Sequence, residues 1–329
     1  MIHRKNYART LQKAFFAILF AAFFAGSLVF TPQLMADEGG IKSSTTLEMQ
    51  TSTRPEAKLS LSQSFTFPFL QGSGPLTRGN NIKTGIAAEV SPVSLAGVAQ
   101  AIWTPIAFLE LSGGAKLGSG WNMSLGNGIG LNVPVEGSGS PRKAKIDGSA
   151  FDGLQWRAWG GGAFQFDIAA LVPGDWNHVI FRVYDEMRYS AYTRAGAGDS
   201  WIIESDDGEN RNGWISHGEA VLGYQMPLSP VLNFVGFMGE LDFNLYNTPG
   251  GDYWGDKLGK WILSGLFNFS IHPRFDASLI VQMRTRRNHG ISNFENRDYF
   301  YQDFELLSDG GKRRLVFYRA ALILSYKIK

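Results

Sequence analysis

Apolar and polar residues alternate along KLSLSQSFTFPF, the segment from Lys58 to Phe69. Successive side chains of a β-strand point to opposite faces, so the leucines and phenylalanines share one face and most hydroxyl residues share the other. Segments with similar alternation recur along the chain, and they predict an all-β protein of about ten strands. The predicted strands lie at about 58–69, 81–103, 107–119, 153–171, 178–192, 214–226, 231–246, 258–271, 275–287 and 315–328.

The connections between the predicted strands alternate in length and composition. The odd connections are long and polar, whereas the even ones are short and marked by proline, as at Thr104-Pro105 and His272-Pro273. A soluble sandwich gives no reason for this sorting, but a transmembrane barrel has short periplasmic turns and long outer loops. The pattern therefore predicts a closed antiparallel transmembrane β-barrel. Its long outer loops are expected at 70–80, 120–152, 193–213, 247–257 and 288–314.

The segment 81–103 leaves the number of strands open, because it is longer than the roughly 9–11 residues with which a strand crosses a bilayer. Apolar residues stand at even positions before the sequence SPVS at 91–94, as at Ile82 and Ile86, and at odd positions after it, as at Leu95 and Trp103. One inserted residue produces this change of phase. We interpret 91–94 as a bulge in one strand; a turn there would instead give a barrel of twelve strands.

Charged residues of both signs share one face of the predicted strands with hydroxyl and amide side chains. A water-filled or ion-paired interior accepts such residues at low cost, whereas a dry core destabilises each unpaired charge. The solvated outer face of a soluble barrel or sandwich is the alternative interpretation. The residues expected to face the lumen are Arg182, Glu186, Arg188, Glu219, Glu240, Asp242, Asp276, Arg284, Arg286 and Arg319.

Aromatic residues cluster where the predicted strands end. Amphipathic rings favour the boundary between lipid and water, and membrane barrels carry aromatic girdles at both boundaries. The residues in question are Trp103, Trp121, Trp176, Trp214 and Tyr326. Their placement supports the transmembrane interpretation.

The first residues of the chain have the pattern of a secretory signal peptide. A basic head precedes the apolar run AFFAILFAAFFAGSLVF, Ala14 to Phe30, and Ala36-Asp37 offers a cleavage site. A retained membrane anchor is the alternative. We expect a signal peptide at 1–36, a short N-terminal periplasmic segment at 37–56 and a single barrel domain at 57–329, and we expect export to the outer membrane.

The composition of the chain limits the classes of partner that it can bind. The chain has no cysteine, so no disulfide framework is available, and its net charge of +2 gives no electrostatic footprint for nucleic acid. With 39 glycines and 13% aromatic residues it is rich in turns and girdle residues. A mean hydropathy of −0.10 agrees with a membrane protein only if the chain crosses as a closed barrel.

Together these features resemble the transmembrane β-barrel proteins of the bacterial outer membrane. The stretch TPIAFLELSGGAKLGSGW, Thr104 to Trp121, is also similar to uncharacterised barrels of spirochaete-type bacteria. The resemblance implies outer-membrane lipid and the barrel assembly machinery as partners. One departure is at the end of the chain, where such barrels commonly finish with an aromatic residue but Tyr326 is followed by Lys327-Ile328-Lys329.

No catalytic constellation is evident. An omptin-like protease would need paired aspartates and an Asp-x-His element, whereas Asp206-Asp207 would point to opposite faces of a strand. Ser216 and His217 are likewise on opposite faces, and a pair of His217 with Glu219 is more typical of a structural ion pair than of a general base. We therefore predict no enzyme activity, and no catalytic, cofactor-binding or metal-binding residue.

Two functional classes remain open. The first is a structural or narrow solute-passage barrel with a polar, mixed-charge lumen, since ten strands lie near the size at which side chains fill the interior. The alternative is a surface adhesin or ligand-binding barrel that contacts host molecules through the loops 120–152, 193–213 and 288–314.

Overall fold

The computed structural model describes residues 40–54, 56–123, 128–134, 143–204, 206, 209–226, 231–245, 259–287, 289–290, 303–306 and 313–328. The predicted signal peptide lies outside these residues. No described segment forms a helix long and apolar enough to span a bilayer. The strands are β1 (Lys42–Ser52), β2 (Ala57–Pro68), β3 (Asn81–Val90), β4 (Ser94–Ile106), β5 (Leu109–Gly120), β6 (Ile129–Pro134), β7 (Lys143–Asp147), β8 (Gln155–Asp167), β9 (Val179–Tyr192), β10 (Trp201–Ile203), β11 (Gly213–Gln225), β12 (Leu232–Asn244), β13 (Lys260–His272), β14 (Phe275–Arg287), β15 (His289–Gly290), β16 (Asp303–Leu306) and β17 (Arg313–Lys327).

Twelve of these strands close into an antiparallel barrel in the order β1-β17-β14-β13-β12-β11-β9-β8-β5-β4-β3-β2. Each strand pairs with its neighbour along the barrel chain, and β1 closes the ring against β17 from Thr46 opposite Lys327 to Ser52 opposite Ala321. Closure leaves no unpaired edge, which a sheet inside lipid requires. The predicted fold class is confirmed, with the twelve strands of the alternative count.

Two strands account for the difference between ten and twelve. The interpretation of 91–94 as a bulge is wrong, because β3 ends at Val90 and the Ser91 amide donates to the Ser94 carbonyl at 2.9 Å across a tight turn. β1 lies inside 37–56, which the sequence analysis assigns to a short periplasmic segment. Its sequence KSSTTLEMQTS has polar residues on both faces, so alternation gives little signal there.

The barrel exposes hydrophobic side chains and buries polar ones. Along β9, Phe181, Val183 and Met187 are 41%, 40% and 43% exposed, whereas Glu186 and Arg188 are each only 9% exposed. This is the reverse of a soluble protein, in which exposed large hydrophobic residues are scattered singly. The apolar outer surface is what a lipid-facing barrel wall requires.

The connections divide between two ends of the barrel, called here the loop end and the turn end. Antiparallel pairing places the connections 121–154, 193–212, 245–259 and 288–312 at the loop end. The turn end holds the short connections 107–108 and 273–274, the start of β1 and the end of β17. The connection 69–80, expected among the long outer loops, lies at the turn end instead, where the Ala107 amide donates to the Leu76 carbonyl at 2.9 Å.

Candidate functional site

The long connections of the loop end fold into a second sheet, called here the cap. Its strand order is β10-β6-β7-β16-β15, so it joins segments of the connections 121–154, 193–212 and 288–312. β10 pairs with β6 from Trp201 opposite Leu131 to Ile203 opposite Ile129, and β7 pairs with both β6 and β16. Segments of three long connections therefore form one sheet.

The cap has a small dry core. Ile129, Tyr192 and Trp201 are at most 1% exposed, and Leu131 and Ile203 pack against them. Tyr192 is the last residue of β9, so this core joins the cap to the barrel wall. Burial of large apolar side chains of this kind stabilises by about 1.5–3 kcal/mol for each residue.

One asparagine holds the connection 193–212 in place. The Asn212 side chain accepts from the Tyr192 amide at 2.8 Å and from the Trp201 indole at 3.1 Å. Its amide group donates to the carbonyls of Tyr192 at 3.1 Å and Ala195 at 2.9 Å. Asn212 thereby satisfies polar groups around the apolar core that would otherwise be buried without partners.

Arg194 links the connection 193–212 to the connection 121–154. Its guanidinium donates to the carboxylates of Asp152 and, at 3.1 Å, of Asp147. Burial alone would lower the pKa of Arg194, but the carboxylates of Asp152 and Asp147 hold that pKa above its ordinary value. This ion pair links the connections 121–154 and 193–212 in addition to their shared sheet.

The cap also contacts the rim of the barrel at the start of β4. Ser94, at the start of β4, donates its hydroxyl to the Glu204 carboxylate, and the Glu204 amide donates to the Gly128 carbonyl at 2.7 Å. Glu204 has a positive φ of 52°, which is uncommon for a residue other than glycine. A side chain at Gly128 would collide with the Val93 carbonyl and the Trp121 backbone, so the close contact of cap and rim requires glycine there.

Inside the barrel, charged side chains form a network across β5, β9, β11 and β12, called here the paired wall. Arg182 of β9 contacts Glu219 at 2.9 Å and Glu110 of β5 at 3.5 Å, although β8 separates β9 from β5. Side chains of strands that are not neighbours meet most readily on the concave side of a curved sheet. The contacts therefore place this network on the inner face.

Arg188 is the centre of the paired wall. It contacts Glu186 at 3.0 Å and Asp242 at 2.9 Å, and β11 lies between the strands of Arg188 and Asp242. Asp242 also contacts His217 at 2.6 Å, and Glu186 accepts from the Tyr184 hydroxyl at 2.6 Å. Each arginine of this wall thus has two carboxylates beside it.

A tryptophan adds bulk next to this network. Trp159 of β8 lies against Gly114 of β5, and a side chain at Gly114 would collide with the indole. Gly161 similarly lets β8 approach β9, because a side chain there would meet the Asp185 carbonyl and Glu186. These two glycines give room to bulky residues, which agrees with the sequence GGG at 160–162 being structural.

The opposite side of the barrel carries a second cluster, called here the arginine wall. The guanidinium carbons of Arg284, Arg319 and Arg54 lie 4.0, 4.8 and 5.0 Å from the ring centroid of Tyr318. Glu56 is shared by two of them, at 2.6 Å from Arg319 and 3.5 Å from Arg54. Cations within about 6 Å of an aromatic centroid are attracted by the ring.

A bulge creates this cluster. Gln282 is opposite Arg319 but Met283 is opposite Phe317, so β17 has one extra residue at Tyr318. Phe317, 59% exposed, therefore faces outward, and Tyr318 turns toward the arginines. Simple alternation puts Tyr318 on the apolar face with Ala320 and is wrong at this point, because an inserted residue changes the phase of the strand.

The remaining predicted residues lie outside these two clusters. Glu240 is directly across from Glu219 on the ladder between β11 and β12. Asp276 accepts from the Ser270 hydroxyl at 2.8 Å and lies 3.6 Å from Lys327 at the turn end. Arg286 is exposed near the loop end. The ten predicted residues thus do not form one site: five belong to the paired wall, two belong to the arginine wall, and three lie apart from both clusters.

Several interior charges were missed by the sequence analysis. Lys116 contacts Glu89 at 2.6 Å, and alternation on β5 and β3 could have identified both, as it could have identified Glu110. Arg54 and Glu56 lie in the short connection between β1 and β2, where the sequence has no strand pattern. No local signal could have placed those two residues beside Tyr318.

The aromatic residues partly follow the expected girdles. Trp156, Tyr189 and Trp214 form a continuous outer row, with ring centroids 5.2 and 5.4 Å apart. Trp103 packs edge-on against Phe69 at 6.3 Å near the turn end. Trp121 differs, because its ring packs 5.2 Å from Phe151 beside the cap.

Two of the described histidines contact carboxylates without forming a larger constellation. His178 lies 2.7 Å from Asp167 at the turn end, and His217 contacts Asp242 as described. Among the residues that the structure describes, no three His, Asp or Glu side chains are grouped so that they could hold a metal ion. Asp206 binds Asn210 in the cap, while Asp207 lies outside the described residues.

Comparison with known proteins finds no matching family model and no similar curated protein. Solved structures that are similar to this chain include a KdgM porin, CdiB and OmpT. A KdgM porin is 10% identical with a TM-score of 0.37, over 87% of this chain and 99% of that one. CdiB from Acinetobacter baumannii is 9% identical with a TM-score of 0.31, over 87% and 60%. OmpT, an outer membrane protein of Vibrio cholerae, is 7% identical with a TM-score of 0.32, over 89% and 99%.

At these TM-scores the likeness assigns no function. The class follows from the chain itself: twelve strands close into a barrel, large hydrophobic side chains cover the outside, and ion pairs lie inside. Backbone inside lipid must satisfy its own hydrogen bonds, and closed barrels do so with strands. The chain has the architecture of an outer-membrane transmembrane β-barrel.

Proposed function

We propose that this protein is a narrow solute-passage barrel of the outer membrane, with a mixed-charge lumen and a cap that narrows its outer mouth. The paired wall is the observation that carries the proposal, because its charged side chains give the interior a polar surface along which a hydrated solute could pass. Arg182 and Arg188 have four different carboxylates beside them, so charges of both signs lie on that side of the interior, with carboxylates in the majority.

The burial of interior polar groups supports a narrow passage. Glu186, Arg188 and Arg284 are each 9% exposed, and Ser264 is fully buried. In a wide aqueous channel such side chains would be hydrated. Barrels of about eight strands are filled by side chains and those of 16–18 hold open channels, so twelve strands fall between the two.

Conductance of the folded chain in planar bilayers tests the proposal. We expect small channels in the wild type, and we expect Glu186→Gln to shift the reversal potential in a KCl gradient toward anion selectivity. The carboxylate of Glu186 lies 3.0 Å from Arg188, and its removal leaves that cation less compensated. Heat modifiability on a gel shows first that each variant is folded.

Asp185→Asn is the matched control. It removes the same charge one residue away, but Asp185 is exposed on the outer face, whereas Glu186 is buried. Selectivity should not change in this variant. An absence of wild-type conductance, or equal shifts in the two variants, would contradict a charged passage.

Adhesion through the cap is a second candidate. It is supported by the joining of three connections into one sheet with its own core, since a built surface suits ligand binding better than separate loops. The test is binding of the folded chain to immobilised matrix glycoproteins, compared with a variant shortened within 193–213. Retained binding by the shortened, folded barrel would contradict adhesion through this loop.

A further inference from the structure

Arg157 of β8 is an interior arginine without a carboxylate of its own. Alternation places it on the inner face, because Trp156 beside it is 37% exposed on the outer face. Within the part of the chain that the structure describes, its guanidinium has no hydrogen bond and no ion pair, and its Nε atom is buried without an acceptor. A buried polar atom without a partner is costly, so packing alone does not explain this arginine.

The carboxylates nearest to Arg157 are already in contact with other cations. Those that act on it electrostatically are Asp242, Glu186 and Glu89. Asp242 and Glu186 lie 2.9 and 3.0 Å from Arg188. Glu89 lies 2.6 Å from Lys116. Each of these carboxylates therefore compensates a different cation more closely than it compensates Arg157.

Two lysines add positive charge beside Arg157. Lys116 of β5 is directly opposite Arg157 on the ladder between β5 and β8, and like charges in this position destabilise a sheet. Lys116 reaches across β4 to Glu89, which also lies 3.8 Å from Lys58 of β2. Arg157, Lys116 and Lys58, called here the basic group, thus have one carboxylate, Glu89, in direct contact with any of them.

The basic group lies just below the cap, away from the carboxylate majority of the paired wall. Arg157 is opposite Ser190 of β9, two residues before Tyr192 of the cap core. Glu219 is opposite Tyr184, further along β9 toward the turn end. From Ser190 to Tyr184 the strand spans about 20 Å, which is about twice the screening length at an ionic strength of 0.1 M. The carboxylates at that depth therefore compensate Arg157 only weakly.

The basic group keeps contact with solvent inside the barrel. Lys58 and Lys116 lie at the loop-end limits of β2 and β5. Their side chains are 34% and 25% exposed, and that of Glu89 is 19% exposed. Side chains on the inner face gain exposure from the space that the barrel encloses. Molecules of the size of water can therefore reach these charges.

We propose that Arg157, with Lys116 and Lys58 beside it, binds a small oxyanion, that is, a phosphate or carboxylate group, inside the lumen. The site rests on the proposed function and deepens it, because it names the chemical class of solute that the passage accepts. A guanidinium presents a planar fork of donors that matches both groups, and charge-assisted hydrogen bonds are about twice as strong as neutral ones. Arg157 donates to the anion, and the two ammonium groups attract it.

Two measurements on Arg157→Gln separate this site from a structural role of the arginine. Calorimetric titration of the folded chain with inorganic phosphate at low ionic strength should show binding about tenfold weaker than in the wild type, the effect of losing one charge-assisted hydrogen bond. Unfolding in lipid vesicles should need at least as much urea as in the wild type, because no carboxylate loses a direct partner. Lower stability with unchanged phosphate affinity would instead show a structural role and overturn the site.

Lys83→Gln is the matched control. Lys83 lies on the same inner face of β3 as Glu89 but toward the turn end, where it is exposed. This variant removes one interior positive charge and should change phosphate affinity by less than about twofold. Equal weakening by Lys83→Gln and Arg157→Gln would overturn the site. If Arg157→Gln does not fold, Lys58→Gln replaces it and should weaken phosphate binding, whereas unchanged affinity would overturn the site.

A separate titration with acetate distinguishes the two sources of the oxyanion. The anion that binds more tightly identifies the group, whereas no binding of either anion by the wild type would overturn the site. Conductance in the same preparation separates the two proposals. Channels without anion binding would contradict the site alone, and anion binding without channels would contradict passage alone.

Discussion

The barrel and the cap distribute the same residue types in opposite ways. In the barrel, Trp214 and Phe317 are 51% and 59% exposed, whereas Ser264 is fully buried. In the cap, Trp201 and Ile129 are each 1% exposed. Since both regions belong to one chain, the difference reflects the solvent around each: a hydrocarbon layer around the barrel wall and water around the cap.

Strand β9 extends from the lipid-facing barrel wall into the cap. Along β9, exposed and buried residues alternate from Phe181 to Tyr189, but Ser190, Ala191 and Tyr192 are all buried. The change coincides with the outer aromatic row at Tyr189. The rings therefore mark the depth at which both faces of the strand become buried.

Removing the largest side chain of the cap core gives the largest expected effect. Trp201→Ala should destabilise the cap by about 3–5 kcal/mol, because it leaves a cavity and removes the hydrogen bond from the indole to the Asn212 oxygen. Hydrogen exchange should accelerate in β6 and β10 but not in the barrel strands. Trp214→Ala removes the same side chain from the lipid-facing side and should leave exchange in the cap unchanged; comparable acceleration in both variants would mean that the cap has no separate core.

A charge placed on the outer wall should have the next largest effect. Leu279→Arg, near the middle of β14 and opposite the exposed Leu322, should reduce the free energy of unfolding in lipid vesicles by about 2–4 kcal/mol. Ser60→Arg should be nearly neutral, because Ser60 is directly across from Glu48 on one side and Glu89 on the other. Equal losses at the two positions would contradict the assignment of inner and outer faces.

Sequence reasoning was most reliable for strands whose two faces contact different surroundings, lipid on one side and polar groups on the other. Alternation placed Arg182, Glu186 and Arg188 on one face of β9 and Arg284 on one face of β14, but it was not applied to Glu110 of β5, which also belongs to the paired wall. It missed β1, whose hydroxyl residues occupy both faces, and it misjudged Tyr318, where one inserted residue changes the phase. These errors share a cause. Alternation with a period of two residues indicates only regular strands whose two faces differ in polarity.

The cap was beyond this kind of reasoning for a different reason. Its pairing joins Trp201 to Leu131 and Glu204 to Ser94, residues far apart in sequence. Short strands such as WII at 201–203 carry no periodic signal of their own. The length of the loops could predict folded structure at the loop end, but only the tertiary contacts show that this structure is a sheet.

The smallest expected effect concerns the contact between Ser94 and Glu204, which tests whether the barrel rim positions the cap. Ser94→Ala removes a hydroxyl that donates to the Glu204 carboxylate, and the net loss should be about 1 kcal/mol, the usual contribution of one hydrogen bond. Exchange of the β10 amides should accelerate about fivefold, since 1.4 kcal/mol corresponds to a factor of ten. Ser62→Ala, on the inner face of β2, removes a hydroxyl that donates to the Thr46 carbonyl at 3.4 Å and should leave β10 unchanged. If Ser94→Ala also leaves β10 unchanged, the left-handed conformation of Glu204 is held by the cap alone, and the barrel rim does not position the cap.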